Sequence, residues 1–330
     1  MKWGSDMYHI CVLTGHPDED EFGERLSDIA EVEYCSAEDE EDLADQLDGA
    51  EILICRDEPV SASLIERLED LRLIVVLSAF TDHVDVAAAA AKGIRVVRNT
   101  SYCVDDIADH SAAMILALLR QLPEYQNDIR SNSRWQYGSI TWPIHRVGDT
   151  LIGLAGFGHI GRAVARRLQA FGCPIQAFDP FVDERVLREA GVKPVDFDTL
   201  LQTSDLVSLH LPLNEATENL FQDEQFEDMK KGAMFVNCCR GGLVDEAALY
   251  HAVDDGHIRS VALDVLSMEH PSPMLLKMIA RPEFLLTPSI ACHSVEADKQ
   301  LVDDGERYIR LFLDGKYDEL PVVHCERTEC

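Results

Sequence analysis

The chain has 330 residues, 46% of them apolar, with 60 acidic side chains against 29 basic ones and a net charge of −31. That length accommodates two domains of ordinary size, each with its own core. The charge argues against nucleic acid and anionic membranes as partners, and the longest apolar runs are too short to span a bilayer. No signal peptide is visible at the N-terminus. The ten cysteines show neither CxxC nor a His/Cys cluster at metal-ligand spacing. These features predict a cytoplasmic protein with free thiols and no metal site. Only 8 of the basic residues are lysine. Self-repulsion of this size destabilises a compact fold in dilute buffer, whereas at molar salt the Debye length falls to roughly 3 Å. The charge therefore predicts a halophilic protein, the alternative being an acidic protein with no halophilic role.

Tyr8–Leu13, Glu51–Cys55 and Leu73–Leu77 are short and rich in Ile, Val and Leu, the pattern of buried strands. Between them, 38–48 and 61–70 have helical periodicity, and the acid run from Glu38 to Asp42 reads as a solvated helix face. Val84–Lys92 reads as an alanine-rich helix closed by Gly93. A long helical pattern follows from Val104 to Arg130, with Ile107, Met114, Ile115, Leu118 and Leu119 apolar and Pro123 placed to kink or break it. Such alternation predicts an α/β fold with a parallel sheet.

Leu151 to Asp179 carries the strongest signal. Leu151, Ile152 and Leu154 lead into Gly156-Phe-Gly158-His-Ile-Gly161, then a helix with Ile160, Val164 and Leu168, a stop at Gly172, a second apolar run and Asp179. This order describes a dinucleotide-binding unit. Gly156 allows the tight turn, Gly158 lets the backbone approach a pyrophosphate, and Gly161 lets helix and strand pack closely. The helix N-terminus, from His159 and Ile160, offers amides to the phosphates. A carboxylate at Asp179 accepts from ribose hydroxyls and repels a 2′-phosphate, so NAD is expected over NADP. Beyond it, Leu206–Leu209, Met234–Asn237, Val261–Val265 and Pro282–Pro288 read as strands, and 183–190, 245–255, 273–279 and 294–314 as helices. The last helix starts at Ser294 with Glu296 in its first turn, and the residues from Pro321 read as a loose tail.

Four further segments stand out: SDLVSLHLPL (204–213), VNCCRGGLVDEAAL (236–249), ALDVLSMEHP (262–271) and LTPSIACHSVEA (286–297). Their order after the glycine turn, with LSAFTDHVDVAAAAAKGIRVVRNT (77–100) and DDIADHSAAMILALLR (105–120), resembles the D-2-hydroxyacid dehydrogenase family over nearly the whole chain. The resemblance implies two Rossmann-like domains with parallel sheets. A discontinuous substrate-binding domain, 1–102 and 294–330, would enclose an NAD-binding domain, 103–293. It implies a hydride transfer between NAD(H) and a small D-2-hydroxy acid or its 2-oxo partner. It also implies a homodimer built on the helix from Asp105 and the arm Leu122 to Val147, which carries Trp135, Tyr137, Ile140 and Trp142.

By that resemblance Arg240 binds the substrate carboxylate and carbonyl, a role suited to a planar, bidentate guanidinium. Asp264 would bind the nicotinamide carboxamide, with Asn237 and Cys238 beside the ring and His210 and Pro212 under the cofactor. Ala79 and Phe80 lie in the substrate loop, where backbone N–H groups hold a carboxylate and where Phe80 either narrows the pocket or packs in the core. His110 reads as structural. Glu269 matches the family's acid, whose partner is a histidine in Thr-Pro-His. This chain has Thr287-Pro288-Ser289 instead, with His293 four residues on. Three readings stay open: His293 takes the acid/base role, Ser289 orients a water, or the chain is a non-catalytic NAD-binding regulator.

Overall fold

The computed structural model describes residues 7–13, 22–37, 39–136, 138, 140, 142–267 and 272–323. The chain folds as two compact units. One takes the chain up to Cys103 and again from Ser294; the other is Val104–His293.

In the first unit, five strands pair in parallel among the described residues. They are β1 (Tyr8–Leu13), β2 (Ala30–Cys35), β3 (Ile52–Cys55), β4 (Leu73–Val76) and β5 (Arg95–Arg98), in the order β2-β1-β3-β4-β5. β3 and β4 are buried at every position, as unbroken apolar runs require when both faces of a sheet are covered. The helices Glu40–Gln46, Ala62–Arg67 and Val86–Ala91 start where Asp39, Ser61 and Asp85 accept the amides of Asp42, Leu64 and Ala88. On the opposite face, the helix Val295–Leu313 lays Val302, Ile309 and Phe312 against Ile10, Val12, Leu73 and Val75.

In the second unit the parallel strands are β6 (Ile152–Ala155), β7 (Ile175–Phe178), β8 (Lys193–Pro194), β9 (Leu206–Leu209), β10 (Ala233–Asn237), β11 (Ile258–Leu263) and β12 (Phe284–Leu286). Their order is β12-β11-β10-β9-β6-β7-β8. The chain starts in mid-sheet, runs out to β8 and returns to place β9 on the other side of β6. That reversal opens a crevice at the carboxyl ends of β6 and β9, the place where such sheets bind ligands. The helix Val104–Leu119 packs on the helix His159–Ala170, and Arg167 of the latter donates to Asp105 and Asp109 of the former at 2.9 and 2.5 Å.

The expected α/β architecture is present, and the long helical pattern from Val104 breaks as Pro123 predicts: it stops at Gln121, whose φ is +53°, and resumes as Leu122–Asn132 with Pro123 in its first turn. Three details differ. β2 escapes the apolar-run criterion because Ala-Glu-Val-Glu-Tyr-Cys exposes alternate glutamates at the sheet edge. β5 likewise lacks an apolar run, its two buried valines being flanked by arginines. The stretch from Pro321 is not a loose tail as far as Val323: Val322 pairs antiparallel with Val97, and the Val323 amide donates to the Val96 carbonyl at 2.9 Å.

Lys92 closes one layer of the first unit. Its Nζ donates to the carbonyls of Ile65, Glu66 and Leu68 at 2.8, 3.1 and 2.9 Å, at the C-terminal end of the helix Ala62–Arg67. A cation is favoured at that negative end of the helix dipole. Lys92→Met should lower the unfolding free energy by about 1–2 kcal/mol in urea at fixed KCl. An unchanged midpoint would mean that water replaces all three bonds.

Candidate active site

The turn after β6 is set by sterics. Gly156 has φ +99°, and a Cβ built on it would lie 2.1 Å from the His210 carbonyl oxygen. A Cβ on Gly161 would lie 2.5 Å from the Gly156 carbonyl oxygen. Gly158 is the N-cap of the helix His159–Ala170, and no side chain caps the first-turn amides of His159 and Ile160. Those amides and the positive end of the helix dipole suit an anion. Asp179 follows β7 and braces the turn from the other side. Its Oδ2 accepts from the Phe157 amide at 2.7 Å and its Oδ1 from the Phe181 amide at 2.9 Å. Asp179 also lines a cleft of about 630 Å³ with Phe178, Pro180, Val195 and Thr199. Uncapped amides, a turn that tolerates no side chain and a half-exposed carboxylate beside a cleft fit a dinucleotide.

His210 leaves β9 on the far side of that turn. Its amide donates to the Ala155 carbonyl at 2.7 Å. Its ring is buried, with Nε2 3.1 Å from Ser208 Oγ and Nδ1 without a partner among the described residues. Burial pushes its pKa down to about 4, so the ring is neutral at pH 7. The Pro212 carbonyl accepts from Thr217 Oγ1 at 2.6 Å, which closes the next turn.

The turn after β10 presents Arg240. Asn237 is buried and organises it: Nδ2 donates to the Arg240 carbonyl at 2.7 Å, and Oδ1 accepts from the Cys239 amide at 2.9 Å. Arg240 is half-buried and its Nη1 donates to the Cys239 carbonyl at 3.2 Å. A Cβ on Gly241 would lie 1.9 Å from the Leu266 carbonyl carbon. The glycine after Arg240 is thus a packing requirement as well as a feature of a ligand loop. Cys238 is buried, its Sγ 3.6 Å from Met114 Sδ. Burial pushes its thiol up to about 12, which makes it an inert lining group rather than a nucleophile.

Asp264 is the joint of a third turn. Its carboxylate is 3% exposed. Oδ1 accepts from Thr287 Oγ1 at 2.5 Å and from the Ile290 amide at 3.0 Å, and Oδ2 accepts from the Ala291 amide at 2.8 Å. Its backbone carbonyl accepts from the Ser289 amide at 2.7 Å, and its amide donates to the Asn237 carbonyl at 3.0 Å. His110 joins this group, with Nε2 3.1 Å from Thr287 Oγ1 and 3.6 Å from Asp264 Oδ1. Since the Thr287 hydroxyl gives its proton to Asp264, the His110 Nε2 donates to Thr287. Sequence reading missed this cluster, because its members lie far apart along the chain.

Ser289 is exposed and left-handed, with φ +56°. His293 is exposed, and its amide donates to the Ile290 carbonyl at 3.1 Å. Glu269 lies outside the described residues. Ala79 and Phe80 belong to the first unit. The Ala79 carbonyl accepts from Arg98 Nη1 at 2.9 Å, and the Phe80 amide donates to Ser78 Oγ at 3.3 Å.

Residues 112–291 match the family profile described as D-isomer specific 2-hydroxyacid dehydrogenase, NAD binding domain. A glycerate dehydrogenase from Methylorubrum extorquens is 35% identical over 288 residues, which are 86% of this chain and 89% of that protein. A D-3-phosphoglycerate dehydrogenase from Archaeoglobus fulgidus is 36% identical over 270 residues, 81% of this chain but 50% of that protein, so the chain spans half of that relative's length. The crystal structure of D-lactate dehydrogenase from Aquifex aeolicus complexed with NAD and lactic acid is similar with a TM-score of 0.85 at 26% identity, covering 94% of this chain and 96% of that one.

The neutral, buried His210 carries a pH dependence. An unfolded histidine titrates near 6.5, so between that value and about 4 the unfolded chain holds a proton that the folded chain does not. The stability is whole above pH 6.5 and falls as pH drops toward 4, by about 3 kcal/mol for this residue. The stability difference between the unmodified protein and His210→Gln should therefore shrink over that interval. A difference independent of pH would show that burial does not hold the ring neutral.

Proposed function

The chain belongs to the D-isomer specific 2-hydroxyacid dehydrogenase family, and we propose that Arg240 is the residue with which it holds a small 2-oxo or D-2-hydroxy acid. It is an oxidoreductase with NAD as its cofactor. Bound NAD(H) supplies or accepts the hydride. The amides of His159 and Ile160, approached past Gly156, Gly158 and Gly161, hold the pyrophosphate, and Asp179 takes the adenosine ribose hydroxyls. His210, Pro212, Cys238 and Asp264 border the nicotinamide end. The observation that carries this reading is the turn Asn237–Gly241. It offers a guanidinium at the carboxyl end of β10, the same sheet edge as the uncapped helix N-terminus.

Arg240 pairs with the substrate carboxylate in bidentate fashion and polarises the reacting carbonyl. Arg240→Gln should lower kcat/KM for 2-oxo acids by about 10²-fold or more while NADH affinity holds. Unaltered kcat/KM would remove Arg240 from the substrate. Asp179→Ala should weaken NADH binding and relax the preference over NADPH. Equal use of both by the unmodified protein would contradict the assignment.

We assign the proton donor to His293, supported by Glu269, with Ser289 in the place of the family's histidine. His293→Ala should then cut turnover by about 10²–10⁴-fold. The contact of His110 with Thr287 favours a second reading, in which His110 delivers the proton through the Thr287 hydroxyl. Full activity in His293→Ala together with loss in His110→Gln would select it.

We further propose a halophilic, cytoplasmic homodimer. Among the described residues of the arm, Trp135 is 91% exposed and Leu122 59%, with Ile129 and Trp142 also exposed. Such apolar groups call for a partner surface; Tyr137 lies outside the described residues. No helix among the described residues is long and apolar enough to cross a membrane. Light scattering in molar KCl should give twice the mass of one chain, and the melting temperature should rise from dilute buffer to molar KCl. A single-chain mass would contradict the dimer, and a salt-independent melting temperature the halophilic reading.

A further inference from the structure

Strand pairing gathers metal-binding donors that no stretch of the sequence displays together. β1 and β2 run parallel with Cys11 opposite Glu33. Side chains two residues apart share a face of a strand, so His9 and Cys11 on β1 and Glu33 on β2 project together. His9 Nε2 lies 3.7 Å from Cys11 Sγ and 3.2 Å from Glu33 Oε2. The three donor atoms all lie within 4.8 Å of one another.

We propose that this edge of the five-stranded sheet is a binding site for a thiophilic divalent cation of the zinc class, held by His9 Nε2, Cys11 Sγ and Glu33 Oε2. The two separations from His9 Nε2 are close to those of a tetrahedral site. With metal–nitrogen and metal–oxygen bonds near 2.1 Å and a metal–sulfur bond near 2.3 Å, tetrahedral angles place N and S about 3.6 Å apart and N and O about 3.4 Å apart. His9 Nε2 thus stands within a few tenths of an ångström of the separations such a site needs from Cys11 Sγ and from Glu33 Oε2. One imidazole, one thiol and one carboxylate select zinc-like ions over magnesium or calcium, which take oxygen ligands.

The setting allows entry. Cys11 is fully buried at the inner end of the group. His9 and Glu33 have side chains 28% and 54% exposed and form the rim. Cys35 lies two residues beyond Glu33 on the same face of β2 and is buried as well. Three protein ligands leave a fourth position for water. The consequence is mechanical: a bound ion ties β2, an edge strand, to β1. An exposed His–Glu ion pair would explain the contact of His9 with Glu33 without any role for the thiol, so the thiol decides between the two.

The test uses the full chain, reduced, stripped with a chelator and held in molar KCl. Zn²⁺ alone is titrated against a chromophoric chelator, and Co²⁺ is added in a parallel sample. One tight equivalent of Zn²⁺ is expected, together with a thiolate-to-cobalt absorption band and a higher melting temperature, because the ion binds the folded state. His9→Ala and Glu33→Gln alter rim residues and should each weaken that equivalent about tenfold or more. Cys11→Ser should remove the cobalt band. Absence of a tight equivalent in the unmodified chain would overturn the proposal. So would an equivalent that His9→Ala and Glu33→Gln leave unchanged, since the ion would then sit elsewhere.

Discussion

The second unit is organised around a place where two stretches of backbone touch with no room for a side chain. Gly156 lies so close to the His210 carbonyl that any Cβ would overlap it. Several features follow from that one contact. The ends of β6 and β9 are locked together by the bond from the His210 amide to Ala155. The Phe157 amide turns outward to Asp179. The helix His159–Ala170 starts with no side chain capping its first amides. The His210 ring is driven into the interior, where it stays neutral. A larger residue at position 156 would displace the end of β9 and with it every group that depends on that end.

Carboxylates, so abundant on the surface, also perform much of the internal fastening. Asp39, Asp85, Asp183, Asp196 and Asp245 cap helices through backbone amides. Asp264 is the extreme case. A carboxyl group so deeply buried is tolerable only when donors replace its water. Thr287 and the amides of Ile290 and Ala291 do so. The turn that carries Ser289 and leads to His293 is therefore shaped by a carboxylate on the neighbouring strand. Arg240 depends on the same strand ends through Asn237, whose carbonyl accepts from the Asp264 amide.

The parts legible in the sequence were those written locally. The glycine turn, the helix behind it and Asp179 lie within 29 consecutive residues, and the buried strands are unbroken apolar runs. What stayed hidden depended on pairing across the chain. β2 carries alternate glutamates and reads as polar until its place at a sheet edge is known. His110 reads as structural in sequence, and its contact with Thr287 is visible only in the fold. The glycine after Arg240 has a packing cause that no local pattern displays, since Leu266 approaches Gly241 too closely for a Cβ. His9, Cys11 and Glu33 show no metal spacing in sequence because two strands supply them. Ser289 was visible at once as a departure from the family pattern, yet its left-handed backbone could only be found in the fold.

This scaffold moves hydride between NAD(H) and the D-enantiomer of a 2-hydroxy acid. The stereochemistry of the product tests it most directly. The protein would be supplied with NADH and a set of small 2-oxo acids in molar KCl, and the products separated on a chiral column. The account predicts a D-2-hydroxy acid from at least one of them, formed in step with NADH consumption. An L-product, or no reduction of any 2-oxo acid by folded, NADH-binding protein, would contradict it.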